Sequence, residues 1–337
     1  MMLSFLAVNE FMKNNTAVLC PVCSSVRSRI VYRVGDHHRR DLRPEITIAK
    51  CTDCGTVYLN DAVHSFQSDL YSYYERFAGR SMEELVSPLT LASYYRVLRR
   101  LRKHCALRSI LDVGCGKGEF VWAALGQGFA VEGLELSAEA VSIARSNGLP
   151  VKQQDLFSSE LDALRSSAIT MFEVLEHVDR PITMIQRATD LLEPGGILYL
   201  TTPNYNSLDR LCLGSKWDVF HPEHITYFST HGLACLIRKL EPRLQLVSVE
   251  SNNISPQFVE RTIELIKGLF QGRMNGKSKS YVRESEPAFD LRSLSEGTEL
   301  SRQGKRVINQ ILSALGMGST TIITAKKSGS CSKRLEG

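Results

Sequence analysis

Residues 109–120 read Ser-Ile-Leu-Asp-Val-Gly-Cys-Gly-Lys-Gly-Glu-Phe, and the rest of the chain is read around them. Ser-Ile-Leu-Asp-Val is a short apolar run of the kind that forms a buried strand. Three glycines follow at alternate positions, Gly114, Gly116 and Gly118, and then Glu-Phe-Val-Trp-Ala-Ala-Leu, which has helix composition. A strand, a glycine turn and a helix bring main-chain N–H groups and a helix N-terminus against a ligand, and that geometry suits an anionic or carboxylate group. The dinucleotide fingerprint is G-x-G-x-x-G. Here the third glycine comes two residues after the second, and Asp112 stands two before the first.

The next segments keep the alternation going. Ala-Val-Glu-Gly-Leu-Glu-Leu-Ser reads as a second strand with Glu135 at its end, where an acidic side chain can accept both hydroxyls of a ribose. Leu-Pro-Val-Lys-Gln-Gln-Asp-Leu places Asp155 at the end of a third strand. Ile169 to Pro181 follows, and after a helix Leu-Glu-Pro-Gly-Gly-Ile-Leu-Tyr-Leu-Thr-Thr-Pro-Asn gives a turn and a fifth strand. Strands are expected near 109–113, 130–135, 150–154, 168–172 and 196–201, with a sixth from Leu244 to Glu250.

A strand followed by Asp-x-Gly-x-Gly-x-Gly, with these segments in this order, resembles the class I S-adenosylmethionine (SAM) dependent methyltransferases. The resemblance implies an α/β fold: a doubly wound, seven-stranded, mostly parallel sheet of the Rossmann-like type with right-handed crossovers. In such proteins the seventh strand inserts antiparallel, here at Ser319–Ala325. The implied cofactor is SAM. Asp112, Gly114, Cys115, Gly116, Gly118, Glu135, Leu136, Asp155, Leu156, Phe172 and Glu173 would bind it, with Glu135 at the ribose and Asp155 at the adenine.

At 337 residues the chain is long enough for one large domain and one small one. Its 43% hydrophobic and 23% charged residues are ordinary for a soluble globular protein. No apolar run reaches the ~18 residues a bilayer span needs, and the N-terminus lacks a signal-peptide pattern. A cytoplasmic location is therefore expected. The net charge of +5 does not by itself argue for nucleic acid.

The nine cysteines include Cys20, Cys23, Cys51 and Cys54, two C-x-x-C pairs that suggest metal binding in a reducing compartment. Four thiolates on two knuckles suit tetrahedral Zn²⁺ with no open position, hence a structural ion. A module this small needs such help to hold a core. His37 and His38, in the intervening loop, are expected at the surface rather than on the ion. Arg27, Arg29, Arg33, Arg39, Arg40 and Arg43 make that loop basic, with acids interleaved. It is either a solvated ribbon or a surface for a phosphorylated partner.

The expected organisation is an N-terminal extension (1–16), a zinc-ribbon module (17–60), a helical connector (61–108), a methyltransferase domain (109–326) with a helical insertion at about 254–318, and a disordered tail (327–337). In the connector, Leu91 to Leu107 reads as an amphipathic helix with Leu98 and Leu101 on one face and its arginines solvated. The tyrosines of 70–77 either pack in the core or line the site.

Methyl transfer is a direct displacement, so the protein must align the acceptor and, for an O–H or C–H nucleophile, remove a proton. Two histidine-bearing segments fall beyond the carboxyl ends of the strands, where reacting groups belong. In Glu173-Val-Leu-Glu-His177, His177 is a candidate base, or Glu176 and His177 cap the next helix and pack on the cofactor. In Val219-Phe-His-Pro-Glu-His-Ile-Thr-Tyr-Phe-Ser229 the candidates are His221, Glu223 and His224. His221 and His224 could instead ligate a metal with His177, although Pro222 rules out a regular helical His-x-x-His.

This segment, combined with the cysteine module, resembles deoxysugar C-methyltransferases and zinc-ribbon methyltransferases of surface-polysaccharide or secondary-metabolite type. Glu223 and His224 match the C-methyltransferase pattern, while His221 stands where that pattern has tyrosine. The implied partner is a small-molecule acceptor, a sugar or nucleotide-linked sugar, methylated on O or C. RNA methylation with the zinc module docking the phosphate backbone is the alternative, weakened by the scarcity of interleaved aromatics. A non-catalytic SAM-binding subunit is a third reading.

Overall fold

A computed structural model describes residues 18–35, 46–61, 74–254, 307 and 309–329. The expected extension, His37 and His38, Arg39, Arg40 and Arg43, and most of the expected insertion lie outside the described residues. Near the N-terminus β1 (Ser28–Val34), β2 (Ile46–Cys51) and β3 (Val57–Leu59) form an antiparallel ribbon. Ile46, Ile48 and Ala49 of β2 and all of β3 are buried. The turn between them closes at Gly55, whose φ of +75° favours glycine.

The connector begins with α1 (Met82–Leu85) and α2 (Pro88–His104). Ser87 caps α2 by accepting from the Thr90 amide at 3.1 Å, and Pro88 fixes the first helical φ. That cap starts the helix three residues before the expected Leu91. The chain then leaves the helical region at Cys105 (φ −146°, ψ 162°), three residues before the expected end. Val97, Leu98 and Leu101 face inward. Arg100 departs from the solvated face expected of the arginines: it bridges Glu250 at 2.7 Å, both side chains less than a third exposed.

Then comes the regular alternation: β4 (Ser109–Val113), α3 (Glu119–Leu125), β5 (Ala130–Glu135), α4 (Ala138–Ser146), β6 (Val151–Gln153), β7 (Ser166–Phe172), α5 (Pro181–Leu191) and β8 (Leu192–Pro203). Next are α6 (Leu208–Leu213), β9 (Thr226–Tyr227), α7 (Thr230–Arg238), β10 (Leu244–Asn252) and β11 (Thr320–Lys327). The large sheet has the order β10-β11-β8-β7-β4-β5-β6, with β11 antiparallel to both neighbours, as expected for the doubly wound seven-stranded fold. One apolar layer packs α5 and α7 against it, and another packs α2, α3 and α4. Reversal of strand order beside β4 puts a crevice at the carboxyl ends of β4 and β7.

Two further features differ from expectation. Lys327, read as the start of the tail, is a strand residue paired with Leu244. Its Nζ donates to the carbonyls of Asp190 and Leu192, where α5 ends and leaves acceptors unmet. β9 was not foreseen. It pairs with β3 and completes the small sheet β1-β2-β3-β9, so the histidine segment and the cysteine ribbon share one sheet. Ile46, Ile48, Val57 and Leu59 pack there with Trp217, Phe220 and Tyr227. No helix among the described residues is long and apolar enough to cross a membrane.

Candidate active site

The turn after β4 is built on left-handed backbone at Gly114 (φ +67°), Gly116 (+54°) and Gly118 (+83°). A Cβ on Gly114 would lie 2.6 Å from Val174, and one on Gly118 would lie 2.6 Å from Leu149. The amides of Gly114 and Cys115 donate to the Leu134 carbonyl at 2.8 and 3.0 Å, tying the turn to β5. Cys115 turns its sulfur under β5, against Gly133.

Glu135, at the end of β5, accepts from the amides of Gly116 (2.9 Å), Leu136 (2.7 Å) and Ser137 (2.9 Å). The expected ribose acid therefore also braces the glycine turn. Asp112 is 1% exposed and accepts from the Thr170 hydroxyl at 2.6 Å. Burial, with the Glu135 charge nearby, pushes its carboxyl up to about 7. No cation pairs with either carboxylate among the described residues; Lys117 is drawn to Glu119 and to the face of Phe77. Two acids without a counter-cation, beside a cradle of glycines, suit a cationic nucleoside, so the residues fit SAM.

The other expected cofactor residues lie around this turn in different ways. Leu136 is exposed, Asp155 is exposed with its carboxylate accepting from the Phe157 amide, and Leu156 is buried in the core. Leu156 thus offers a ligand its main chain alone. Phe172 packs at 4.9 Å from Phe120, in a group with Tyr94 and Tyr199. Tyr74, from the tyrosine-rich segment, brings its hydroxyl within 3.8 Å of where a Gly116 Cβ would stand. Sequence reasoning left that tyrosine undecided between core and site.

After β7 the main chain is strained. Glu173 has φ +53°, a region costly for a side chain with a Cβ, and such strain concentrates at functional sites. Crowding by protein raises its carboxyl above the ordinary range, although solvent reaches it from the crevice. Three residues on, Glu176 is 1% exposed, and neither carboxylate oxygen has a hydrogen-bond partner within 3.5 Å. The Thr202 hydroxyl and the Glu173 carboxyl lie beside it, neither of them a hydrogen-bond partner of its oxygens within 3.5 Å. Burial, and then the charge of Glu173, raise Glu176 well above the usual carboxylate range.

His177 and His224 meet across the two segments, ring centroids 4.7 Å apart and nearly perpendicular. His177 Nδ1 lies 2.9 Å from the Glu223 carbonyl, and His224 Nδ1 lies 2.8 Å from the Val219 carbonyl. A carbonyl can only accept, so each Nδ1 carries the proton and each Nε2 keeps its lone pair. Burial and the neighbouring His177 push His224 down to about 3, and protein crowded around the His177 ring lowers it too, although that residue reaches solvent. Neither Glu176 nor His177 caps α5, whose N-cap is Arg180 without a side-chain cap. His221 stands 6.1 Å from His224 by ring centroids, and its Nδ1 is 3.8 Å from the Glu223 carboxylate. The main chain locks the two segments together through Ile225 N–H to the Glu176 carbonyl at 2.7 Å. Glu176 was missed as a site residue because a Glu-His pair before a helix reads equally as a cap.

At the cysteine ribbon, Cys20 and Cys54 sulfurs lie 3.5 Å apart, as do those of Cys23 and Cys51, and all four lie within 4.8 Å of one another. Tetrahedral thiolates ~2.3 Å from Zn²⁺ stand ~3.8 Å apart, so the set fits zinc. Burial opposes ionisation of Cys51, yet main-chain amides of Cys54 and Asp53 and the neighbouring thiols draw it down to about 7.

Comparison with known proteins adds three findings. Residues 80–240 match a family described as "Methyltransferase domain". Ubiquinone biosynthesis O-methyltransferases are similar: that of Paraburkholderia phytofirmans is 31% identical over 148 residues, 41% of this chain and 62% of that protein. The Haemophilus ducreyi protein is 34% identical over 108 residues, 29% of this chain and 46% of its own. The chain spans about half the length of the curated relatives it matches. A solved SAM-dependent methyltransferase of Archaeoglobus fulgidus is 18% identical, with a TM-score of 0.46 over 77% of this chain and 99% of that one. Residues 80–240 thus match a methyltransferase-domain family, and the glycine turn and seven-stranded order described above, which take in β10 and β11 beyond residue 240, are those of a class I SAM-dependent methyltransferase domain with the Rossmann-like fold.

Proposed function

We propose that this chain methylates a small polar metabolite at the expense of SAM, the acceptor being a sugar or sugar nucleotide and the methylated atom a hydroxyl oxygen. One observation carries the reading. The glycine turn, with Asp112 and Glu135 lacking a cation, ends β4 and β5, and the histidine pair sits at the carboxyl end of the adjoining β7.

SAM, when bound, supplies an electrophilic methyl on a sulfonium. Asp112, Gly114, Cys115, Gly116 and Gly118 would hold its amino-acid end and Glu135 with Leu136 its ribose. Asp155, Leu156, Phe172 and Glu173 would flank the adenine and the crevice. His177 and His224 would turn their Nε2 lone pairs toward the acceptor, and His177, whose basicity is lowered less than that of His224, would take the hydroxyl proton and release it to water. His221 and Glu223, at the rim, would orient the acceptor. The cysteines would hold a structural Zn²⁺ that fixes the small sheet and, through β3 and β9, the histidine segment.

The printed names of the relatives favour O-methylation over C-methylation and give a second acceptor reading, a hydroxyl of a ubiquinone precursor. The test is to incubate the full chain with SAM and separate panels of nucleotide sugars, free sugars and dihydroxyphenols, and to look for the mass gain of one CH₂. A gain on a sugar class supports the proposal, and one confined to phenols moves the acceptor to the second reading. No binding of SAM or its demethylated product to folded protein overturns both.

A further inference from the structure

We propose that Glu176, His177 and His224 form a second metal site, one that takes a divalent first-row transition ion and keeps a coordination position open toward the crevice. One ligand atom from each of the three residues lies within 4.8 Å of the other two. Their chemistry, two imidazoles and a carboxylate, is that of three-ligand zinc, manganese and non-haem iron sites, which leave room for water or substrate.

Three independent features point to a cation. Glu176 is buried to 1% exposure with no hydrogen-bond partner within 3.5 Å of either oxygen, an arrangement unfavourable for a carboxylate unless a positive group arrives. Both histidines donate Nδ1–H to a main-chain carbonyl, which fixes the tautomer with Nε2 basic and the ring orientation set. Hydrogen bonding of the remote ring nitrogen is the usual outer shell of a metal-bound imidazole. Finally, the site is assembled from two segments held by the Ile225–Glu176 main-chain bond, so the ligands are positioned before any ion binds. Glu176 is buried, His224 half-buried and His177 exposed, which leaves the open side on the crevice.

The site differs from the cysteine site in ligand softness, and from a His221–His224–His177 set in taking Glu176 instead of His221. The role of the ion rests on the methyltransferase reading: an acceptor hydroxyl would become its open-position ligand and turn more acidic. The imidazoles would then hold the ion rather than a proton. Binding of the ion does not depend on that reading.

The test uses the full chain with its cysteine site first filled with Zn²⁺, then titrated with Co²⁺ without SAM or acceptor. The expected result is one further equivalent of Co²⁺, with visible absorption typical of nitrogen and oxygen ligands. Glu176→Gln and His224→Ala should each weaken that binding at least about tenfold. Thermal unfolding and SAM binding of both variants establish that they fold. Absence of the second equivalent in the wild type, or unchanged Co²⁺ affinity in folded Glu176→Gln, overturns the proposal. SAM binding measured on the same samples reports separately on the methyltransferase reading.

Discussion

Val57 of the cysteine ribbon pairs in antiparallel register with Tyr227 of the histidine segment, and the Leu59 amide donates to the Ile225 carbonyl at 2.9 Å. Next to Ile225 on that segment, His224 faces His177. The short strand β9 is thus held on one side by the ribbon and on the other by the loop after β7. Its own length would not sustain it, since isolated strand pairs of this size are marginal in water.

Removing the Zn²⁺ proposed for the cysteines is therefore expected to loosen the histidine segment more than the strand before the glycine turn. Hydrogen exchange of the full chain, with and without a chelator, checks this. Amides of 219–228 should exchange faster after chelation, and those of Ser109–Val113 should not. Equal protection of 219–228 in both samples would mean that the ribbon does not support the segment.

Gly118→Ala is expected to destabilise the protein. A left-handed residue with a Cβ costs ~1–2 kcal/mol, and the new methyl would meet Leu149 Cδ1 at 2.6 Å in a buried cluster. Overpacking adds ~1–3 kcal/mol, for a total of about 2–5 kcal/mol. Gly126→Ala is the control: its φ is −61° and the nearest foreign atom is 3.5 Å away. Urea unfolding should separate the two variants clearly, and equal midpoints would contradict the account of the turn.

Asp112 sets a pH dependence. Its carboxyl ionises near 7 in the native protein against ~3.9 when unfolded. Between those values the native state binds more protons than the unfolded one, so stability falls as pH rises through the interval. The contribution is complete below ~3.9 and lost above about 7, and a gap of this size corresponds to at most roughly 4 kcal/mol. Asp112→Asn keeps an acceptor for Thr170 and removes the charge. The ligand-free variant should melt higher than wild type at pH 8, with the difference shrinking toward pH 5, while its affinity for SAM falls. A difference in melting temperature that ignores pH would remove the buried charge as its cause.

The parallel sheet and the glycine turn were legible because their signals are local: an apolar run, three glycines at fixed spacing, and acids ending two consecutive strands. What stayed hidden depends on contacts between distant residues. Arg100 reads as one more surface arginine until Glu250, 150 positions later, arrives beside it. Thr226 and Tyr227 carry no strand pattern of their own, and β3 supplies their pairing. Lys117, between two glycines of the turn, folds over Phe77 of the connector and pairs with Glu119. Glu176 could not be told from a helix cap before the histidines of another segment were placed around it.

Asn204 lies in Thr-Pro-Asn-Tyr, a sequence with a superficial likeness to the Asn/Asp-Pro-Pro-Tyr motifs of N-methylating enzymes. It is fully buried, and its Nδ2 donates to the carbonyls of Gly316 (2.9 Å) and Gly318 (2.8 Å). Its Oδ1 accepts from the amides of Asn206 (3.0 Å) and Thr230 (3.3 Å). All the polar capacity of the side chain is thus engaged in clamping the end of β8 to the approach of β11 and the start of α7. Asn204→Ala leaves two carbonyls and two amides without this partner, at ~1–3 kcal/mol for each group that water does not reach. A loss of several kcal/mol in unfolding free energy is expected, with methyl transfer per folded molecule little changed at a temperature where the variant stays native. A variant of undiminished stability with abolished transfer would instead place Asn204 in the chemistry.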